Sequence, residues 1–288
     1  MKITAKLTVI VAPLLMAGCS DSDSPSDWSG AAMNIDFAFV DYDGKWRDVT
    51  FGDFADGAEL GLTLSTSGIS KSDLDYLSYN ADNQRVVRVG VVWSTGARLL
   101  WKGNKNQVSY TAYMPYHEDP QALEAWRVSS EQTAASVIAE DLLIATGTTT
   151  AETAAAEGLR IELGHALAEF DVSLNITDDI YRTASVSKVM VGACRLSYPA
   201  TATAVGETTT LVKIPDTETH YGLVPPQTVT DLKVSICMSD GTVREYVATD
   251  ATEFVANRVN HLILNVTRDK IEKGIAVVDP WKDGNAAQ

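Results

Sequence analysis

The segment Glu169–Ile176 reads EFDVSLNI and places an apolar side chain at every second residue. Side chains alternate between the two faces of a β-strand, so this spacing puts the apolar groups on one face and the polar groups on the other. An α-helix needs a period near 3.6 residues, which this segment lacks. The segment therefore predicts a strand with one face on a core, and repeats of this pattern decide the fold.

The same alternation recurs along the chain. Further strands are marked by Ile35, Phe37 and Phe39; Leu60, Leu62 and Leu64; Ile161 and Leu163; Leu232, Val234, Ile236 and Met238; and Leu262, Leu264 and Val266. Turn signals such as Asp56-Gly57, Asp240-Gly241 and Pro225-Pro226 separate these runs. Many short strands joined by turns predict an all-β fold of the sandwich type.

Two segments depart from simple alternation. Arg85–Trp93 (RVVRVGVVW) is apolar on both faces at its end, which predicts a central strand that is covered on both sides. Glu131–Leu143 has a weak helical period and is the one helix that we predict.

A low-complexity segment lies near the middle of the chain. Thr146–Gly158 (TGTTTAETAAAEG) is rich in small and polar residues, which is typical of a linker. We place a domain boundary near Glu157, with an N-terminal β-sandwich at residues 31–157 and a C-terminal one at residues 158–288. A single large sandwich with a long excursion is the alternative.

The N-terminus has the layout of a bacterial lipoprotein signal peptide. Lys2 and Lys6 precede and flank an apolar run, and Met16-Ala17-Gly18-Cys19 ends it with small residues before a cysteine. We predict a signal peptide at residues 1–18, cleavage between Gly18 and Cys19, and acyl chains on Cys19 that anchor the chain to a bilayer. Residues 19–30 are polar and predict a flexible tether. An ordinary cleaved signal is the alternative.

The composition excludes one large class of partners. The chain of 288 residues has a formal net charge of −15, which repels the phosphate backbone of nucleic acids. Besides Cys19 there are two cysteines, Cys194 and Cys237, too few for a disulfide scaffold. They could pair in an oxidising compartment, but buried free thiols are the favoured prediction.

Catalytic motifs are not found in the sequence. It has no Gly-rich phosphate loop, no Gly-x-Ser-x-Gly elbow and no closely spaced metal-ligand set. The four histidines are scattered, and His165 is predicted to be a hydrogen-bonded packing residue. We therefore predict that the chain is not an enzyme and uses no cofactor and no metal.

Several motifs follow one another in an order that resembles the fimbrillin family of Bacteroidales lipoproteins. They are Tyr110–Tyr116 (YTAYMPY), Asp141–Ala145 (DLLIA), Leu163–Phe170 (LGHALAEF), Val224–Val229 (VPPQTV), the strand Val259–Val266 and Trp281–Gly284 (WKDG). Members of this family are subunits and accessory proteins of type V pili. The resemblance covers roughly residues 85–284.

The resemblance implies a fold and a function. Family members have two tandem transthyretin-like β-sandwich domains, sit on the outer membrane and join other pilin subunits by exchanging β-strands. The expected role is therefore a surface-exposed pilin or pilus-associated subunit in a fimbrium, with self or related subunits as partners and a host or glycan receptor as a further one. The alternative is a monomeric, lipid-anchored adhesin that binds glycans.

The resemblance also implies proteolytic maturation. Polymerising members are cut after a basic residue downstream of the lipidated cysteine, which releases an N-terminal strand and opens a groove. Arg47 is the preferred site here and Lys45 the second, in a turn that follows the strand Ile35–Phe39. Plain solvated turn residues are the alternative.

The same resemblance makes the C-terminal strand a candidate donor. Ile275, Val277 and Trp281 are expected on one face, with Ala276 and Val278 on the other. Such a strand either completes its own sandwich or inserts into a neighbouring subunit, and insertion is the favoured prediction.

Overall fold

The computed structural model describes residues 28–39, 54–154, 158–177, 179, 182, 184–199 and 206–281. Strands dominate it, and the all-β fold predicted from the alternating pattern is confirmed.

The first sheet has seven strands. In chain order they are β1 (Ile35–Phe39), β2 (Glu59–Thr66), β3 (Ala81–Val89), β4 (Val92–Ser94), β5 (Val108–Met114), β7 (Leu143–Thr149) and β8 (Leu159–His165). Their order across the sheet is β1-β8-β7-β5-β2-β3-β4, with β1 parallel to β8 and the other neighbours antiparallel. The two terminal strands approach each other, because Phe37 of β1 contacts Trp93 of β4 at 5.2 Å between ring centroids. The sheet therefore curls around a single core.

Two further sheets enclose a second core. One contains β10 (Val186–Cys194), β12 (Glu207–Thr210), β16 (Lys233–Met238) and β17 (Val243–Val247) in the order β12-β10-β16-β17. The other contains β9 (Ala168–Ile176), β13 (Val212–Lys213), β14 (Thr219–Val224), β19 (Arg258–Val266) and β20 (Ile271–Pro280) in the order β13-β14-β9-β19-β20. Side chains of both sheets, among them Phe170, Val191, Ile236 and Leu264, form one buried cluster, so this half is a β-sandwich.

The remaining elements are short. They are β6 (Trp126–Arg127) paired with β11 (Ser197–Tyr198), β15 (Gln227–Val229) paired with β18 (Thr252–Phe254), a 3₁₀ helix at Pro120–Ala125, and the helices α1 (Tyr76–Tyr79), α2 (Ala134–Glu140) and α3 (Ala151–Ala154). The predicted helix is α2, which begins after Thr133 because the side chains of Thr133 and Ser136 cap each other's backbone N–H groups.

The segment predicted as a linker is part of the fold. Thr146–Thr149 belongs to β7, and Ala151 and Ala154 of α3 lie in the core of the seven-stranded sheet. Small residues were interpreted as a linker, but here they allow close packing. The boundary near Glu157 stays a prediction. Residues 155–157 lie outside the described part of the chain, and β8, which follows them, pairs with strands of the first sheet.

The prediction of a central strand over Arg85–Trp93 is wrong. The chain turns at Gly90, which has φ +59°, and β3 and β4 form a hairpin at the end of the sheet. Val89, Val91 and Val92 are consequently more than half exposed. Glycine inside the apolar run was the signal for this turn, because it adopts positive φ without strain.

Candidate functional site

The strand β1 lies at one end of the seven-stranded sheet. It pairs in parallel with β8, from Ile35 opposite Leu159 to Phe39 opposite Leu163. Phe37 and Ala38 are each 1% exposed and Phe39 is 9% exposed, so both faces of this short strand are covered. Edge strands are normally half-solvated, and this one is instead an integral part of the core.

Aromatic contacts hold β1 in place. Phe39 stacks on Phe54 with ring centroids 4.1 Å apart and planes 11° apart. Phe37 meets Trp93 edge to face, and Phe54 meets Trp93 in the same manner at 5.1 Å. Loss of β1 would therefore leave a groove with the edge of β8 on one side and an aromatic floor beneath.

The strand β20 lies at the end of the five-stranded sheet and has the opposite character. It runs antiparallel to β19 with a register shift at Gly274 and Ile275, and every residue from Glu272 to Asp279 is exposed. Ile275 is 62% exposed, Val277 43% and Val278 45%. None of these exposed residues belongs to a buried cluster of the described structure, and Ile271 alone packs against one as a partly buried neighbour. This strand covers little of its own core.

A cleft that is open to solvent lies beside β20. It has a volume of about 560 Å³ and is lined in part by Phe170, Leu232, Tyr246, Leu262, Ala276 and Val278. The apolar side chains of β20 that line this cleft are exposed and do not fill it.

The predicted donor residues are brought together on β20, with one exception. Ile275, Ala276, Val277 and Val278 are consecutive and exposed. Trp281 was expected on the same face as Ile275 and Val277, but it is 4% exposed and lies in a separate buried cluster with residues such as Leu142 and Val259. The alternation does not carry through Asp279 and Pro280, and the chain turns inward at the end of the strand.

Trp281 holds the C-terminal end of β20 in place. Its ring stacks on His165 with centroids 3.7 Å apart and planes 3° apart, and its backbone N–H donates to the backbone carbonyl of Asn257 at 3.2 Å. The side-chain oxygen of Asn257 accepts from the backbone N–H of His165 at 3.3 Å, and Nδ1 of His165 contacts Asp141 Oδ1 at 2.9 Å. The packing role predicted for His165 is confirmed, and Trp281 is the partner that sequence reasoning missed.

A buried acidic pair lies close to this stack. Burial and the neighbouring carboxyl of Asp171 raise the pKa of Glu169 to about 8, so Glu169 is largely protonated at neutral pH. Burial also raises the pKa of Asp171, although His261, whose Nδ1 lies 3.0 Å from Asp171 Oδ2, opposes that change. Nε2 of His261 lies 3.6 Å from Asp279 Oδ2, which ties β20 to β19 and β9.

Other reactive groups are dispersed. Cys194 and Cys237 are free thiols, as favoured from the sequence, but only Cys194 is buried as predicted, and Cys237 is half-buried. Burial raises the pKa of Cys194 to about 12. Burial lowers the pKa of His220 to about 4. Among the described residues, no three His, Cys, Asp or Glu side chains are grouped as metal ligands.

In the described part of the chain, no helix has the length and apolar content needed to cross a bilayer. Gly18 and Cys19, the predicted lipidation site, lie outside the described residues, as do Lys45 and Arg47, the predicted cleavage sites.

Comparisons with known proteins agree with this architecture. A family model described as Fimbrillin-like matches residues 48–281. A search of curated protein sequences found no match.

Solved structures from three Bacteroides species share the fold. A candidate cell adhesion protein from Bacteroides ovatus has a TM-score of 0.63 at 12% identity, over 89% of this chain and 100% of that one. Another from Bacteroides uniformis has a TM-score of 0.60 at 15% identity, over 80% and 95%. A fimbrial protein from Bacteroides vulgatus has a TM-score of 0.54 at 11% identity, over 87% and 99%.

Proposed function

Since the chain belongs to the fimbrillin-like family, we propose that it is a pilus subunit that polymerises by donating β20 to the groove left by β1 of a neighbour. Family membership makes it a structural, non-enzymatic protein of the surface fimbrium, with a role as a pilus subunit or in adhesion. The strand exchange, the lipid anchor and the outer-membrane location are the proposal.

The observation that carries the proposal is the exposure of β20. Detaching this strand from β19 uncovers little of the sandwich core, because Glu272 to Asp279 are exposed already. Inserting Ile275 and Val277 into an apolar groove would bury them, and full burial of such a side chain contributes roughly 1.5–3 kcal/mol. The main-chain hydrogen bonds to β19 would be replaced by bonds to β8 of the neighbour, each with a net value of about 1 kcal/mol.

The acceptor groove requires the departure of β1. Cleavage after Arg47, or after Lys45, would separate β1 from the remainder of the chain. The cut fragment would then be held by its pairing with β8 and by the packing of Phe37 and Phe39. A cut strand can dissociate and be replaced, whereas an intact one is tethered at high effective concentration.

The anchor completes the proposal. Acylation of Cys19 would hold the uncut subunit on outer-membrane lipid, and cleavage downstream would free it for assembly. A subunit that remained uncut would stay on the membrane at the base of the pilus. A host or glycan receptor stays a prediction for the assembled fibre.

The test uses exposed positions that the monomer does not need. We express the full chain in a Bacteroidales host and examine unboiled surface extracts for a ladder of SDS-resistant multimers. Ile275→Asp and Val277→Asp are expected to abolish the ladder because each would place a carboxylate in the groove. Val243→Asp and Val247→Asp on the edge strand β17 are matched controls, since these valines are 54% and 51% exposed.

Two outcomes would contradict the proposal. One is a ladder that survives both β20 substitutions. The other is wild-type protein that stays a monomer after cleavage, and glycan-array binding by that monomer would instead support the adhesin alternative.

Mass spectrometry of the mature N-terminus tests the cut, with Asp48 expected after cleavage at Arg47. Labelling with a clickable fatty acid tests the anchor, and Cys19→Ala should lose the label.

A further inference from the structure

The groove left by β1 demands a particular order of side-chain sizes. Phe37 and Phe39 project into the aromatic core, so their positions need large apolar groups. Ala38 between them faces the other side of the strand and is 1% exposed, so a larger side chain there would have to displace the groups that cover it. An incoming strand must therefore present a large, a small and a large residue in succession.

One stretch of β20 has this order. Ile275-Ala276-Val277 places alanine between two larger apolar residues, and no other three consecutive residues of β20 do so. The likeness extends further in the sequence, because Phe37–Asp41 reads FAFVD and Ile275–Asp279 reads IAVVD. Three of these five positions are identical.

Any other register of β20 in the groove would be unfavourable. A shift by one residue puts Ile275 or Val277 at the buried place of Ala38, where the extra methyl groups would have to displace covering groups. A shift by two residues puts either Lys273 at the place of Phe37 or Asp279 at the place of Phe39. Each would bury a charge against the apolar rings that the phenylalanines now contact.

We infer that β20 enters the groove in one register, with Ala276 at the place of Ala38, and that the partner is a second copy of this chain. The inference rests on the proposed strand exchange, and it adds the register, the direction and the identity of the partner. The triplet Ile275-Ala276-Val277 fits in either direction, but the likeness of IAVVD to FAFVD holds in one chain direction and makes the donor run parallel to β8, as β1 does. A chain that carries both the groove and a strand matched to it forms polymers of itself.

The register fixes which residues face each other between copies. Ala38 is paired with Glu162 of β8, so Ala276 of the donor copy should lie beside Glu162 of the acceptor copy. Arg160 and Gly164 lie two residues away on the same face of β8, and both are partly exposed, as Glu162 is. These three positions measure the register directly.

The experiment mixes two full-length chains with different tags in a Cys237→Ser background. One carries Ala276→Cys, and the other carries Arg160→Cys, Glu162→Cys or Gly164→Cys. After assembly, a short bifunctional maleimide is added, and cross-linked dimers that contain both tags are quantified. We expect the strongest cross-link with position 162, at least five-fold above positions 160 and 164.

A ladder that cross-links best through position 160 or 164 would overturn the register and leave strand exchange intact. Absence of a ladder in the unmodified chain would overturn the proposed function and this inference together. A larger side chain at position 276 gives a second test that needs no cross-linker. Ala276→Phe should block the ladder because position 38 is closed, whereas Val247→Phe on β17 should not. An unaltered ladder in Ala276→Phe would also overturn the register.

Discussion

β1 and β20 are both terminal strands, but their side chains are used in opposite ways. β1 has five residues and buries Phe37, Ala38 and Phe39, whereas β20 has ten residues and leaves eight of them exposed. The short strand is buried in its core and precedes a predicted cleavage site. The long strand contributes little to its core and has apolar side chains of the kind that the short strand buries. Edge position by itself therefore says little about a strand, and side-chain burial distinguishes these two edge strands.

The largest effect on stability is expected from a substitution in the core beneath β1. Phe37→Ala should destabilise the uncut protein by about 3–5 kcal/mol, because it removes a buried ring and leaves a cavity against Trp93. Urea unfolding followed by tryptophan fluorescence measures this change. A loss below about 1 kcal/mol would mean that β1 is held by its backbone pairing and not by its side chains.

A substitution at the C-terminal end of β20 should give the next largest effect on stability. Trp281→Ala is expected to cost about 3 kcal/mol, since it removes a buried ring that stacks on His165. Hydrogen exchange should then accelerate at the amides of β20 and stay unchanged at those of β1. Trp281→Phe is the matched control because it keeps an aromatic ring on His165. Unaltered exchange in β20 would show that the stack does not hold the strand.

The acidic pair Glu169 and Asp171 on β9 predicts a pH dependence of stability. The pKa of Glu169 is about 8 in the fold and near 4.5 in the unfolded chain, so the folded state binds more protons between these values. Stability from this group is full below about pH 4.5 and falls as pH rises towards 8, by up to about 1.4 kcal/mol per pH unit.

Replacing the ionisable group isolates this effect. Glu169→Gln should flatten the pH dependence of the unfolding free energy and stabilise the protein at pH 8 relative to wild type. Asp171, Asp141, His165 and Tyr221 also face Glu169, and since burial raises the pKa of Asp171, this residue contributes to the slope that remains. Glu272→Gln, on the exposed face of β20, is the control and should leave the slope unaltered. A wild-type stability that rises from pH 5 to 8 would contradict the prediction.

The smallest effect on stability should come from the donor side chains themselves. Ile275→Ala is expected to change the unfolding free energy of the monomer by less than about 0.5 kcal/mol, because the side chain is 62% exposed. The same variant should weaken the multimer ladder, since the isoleucine would be buried only after exchange. A monomer destabilised by 2 kcal/mol or more would show that β20 belongs to its own core.

Much of this arrangement could be predicted from alternation. Phe37, Phe39, Leu262 and Leu264 face cores as their spacing indicated, because a half-buried strand leaves a period of two in the sequence. The free thiols and the packing role of His165 were predicted for similarly local reasons.

Other features depended on contacts between distant segments. The burial of Trp281 arises from a stack on His165, and nothing local to residue 281 announces that partner. The exposure of β20 also depends on contacts with other segments. Its apolar residues alone would fit a buried strand as well. The segment Thr146–Gly158 misled because small residues serve both linkers and tightly packed elements.

The attachment of β20 has a mechanical consequence. The strand enters from β19 through the turn at residues 267–270, and its other end is fastened by Trp281. In the proposed exchange, release from a single subunit would begin at Trp281 and proceed as peeling, which breaks one hydrogen bond at a time. In a fibre, tension would pull the donated strand along its length and load all of its hydrogen bonds together, as shear. The same ten residues would therefore detach readily during assembly and resist separation once the fibre is under force.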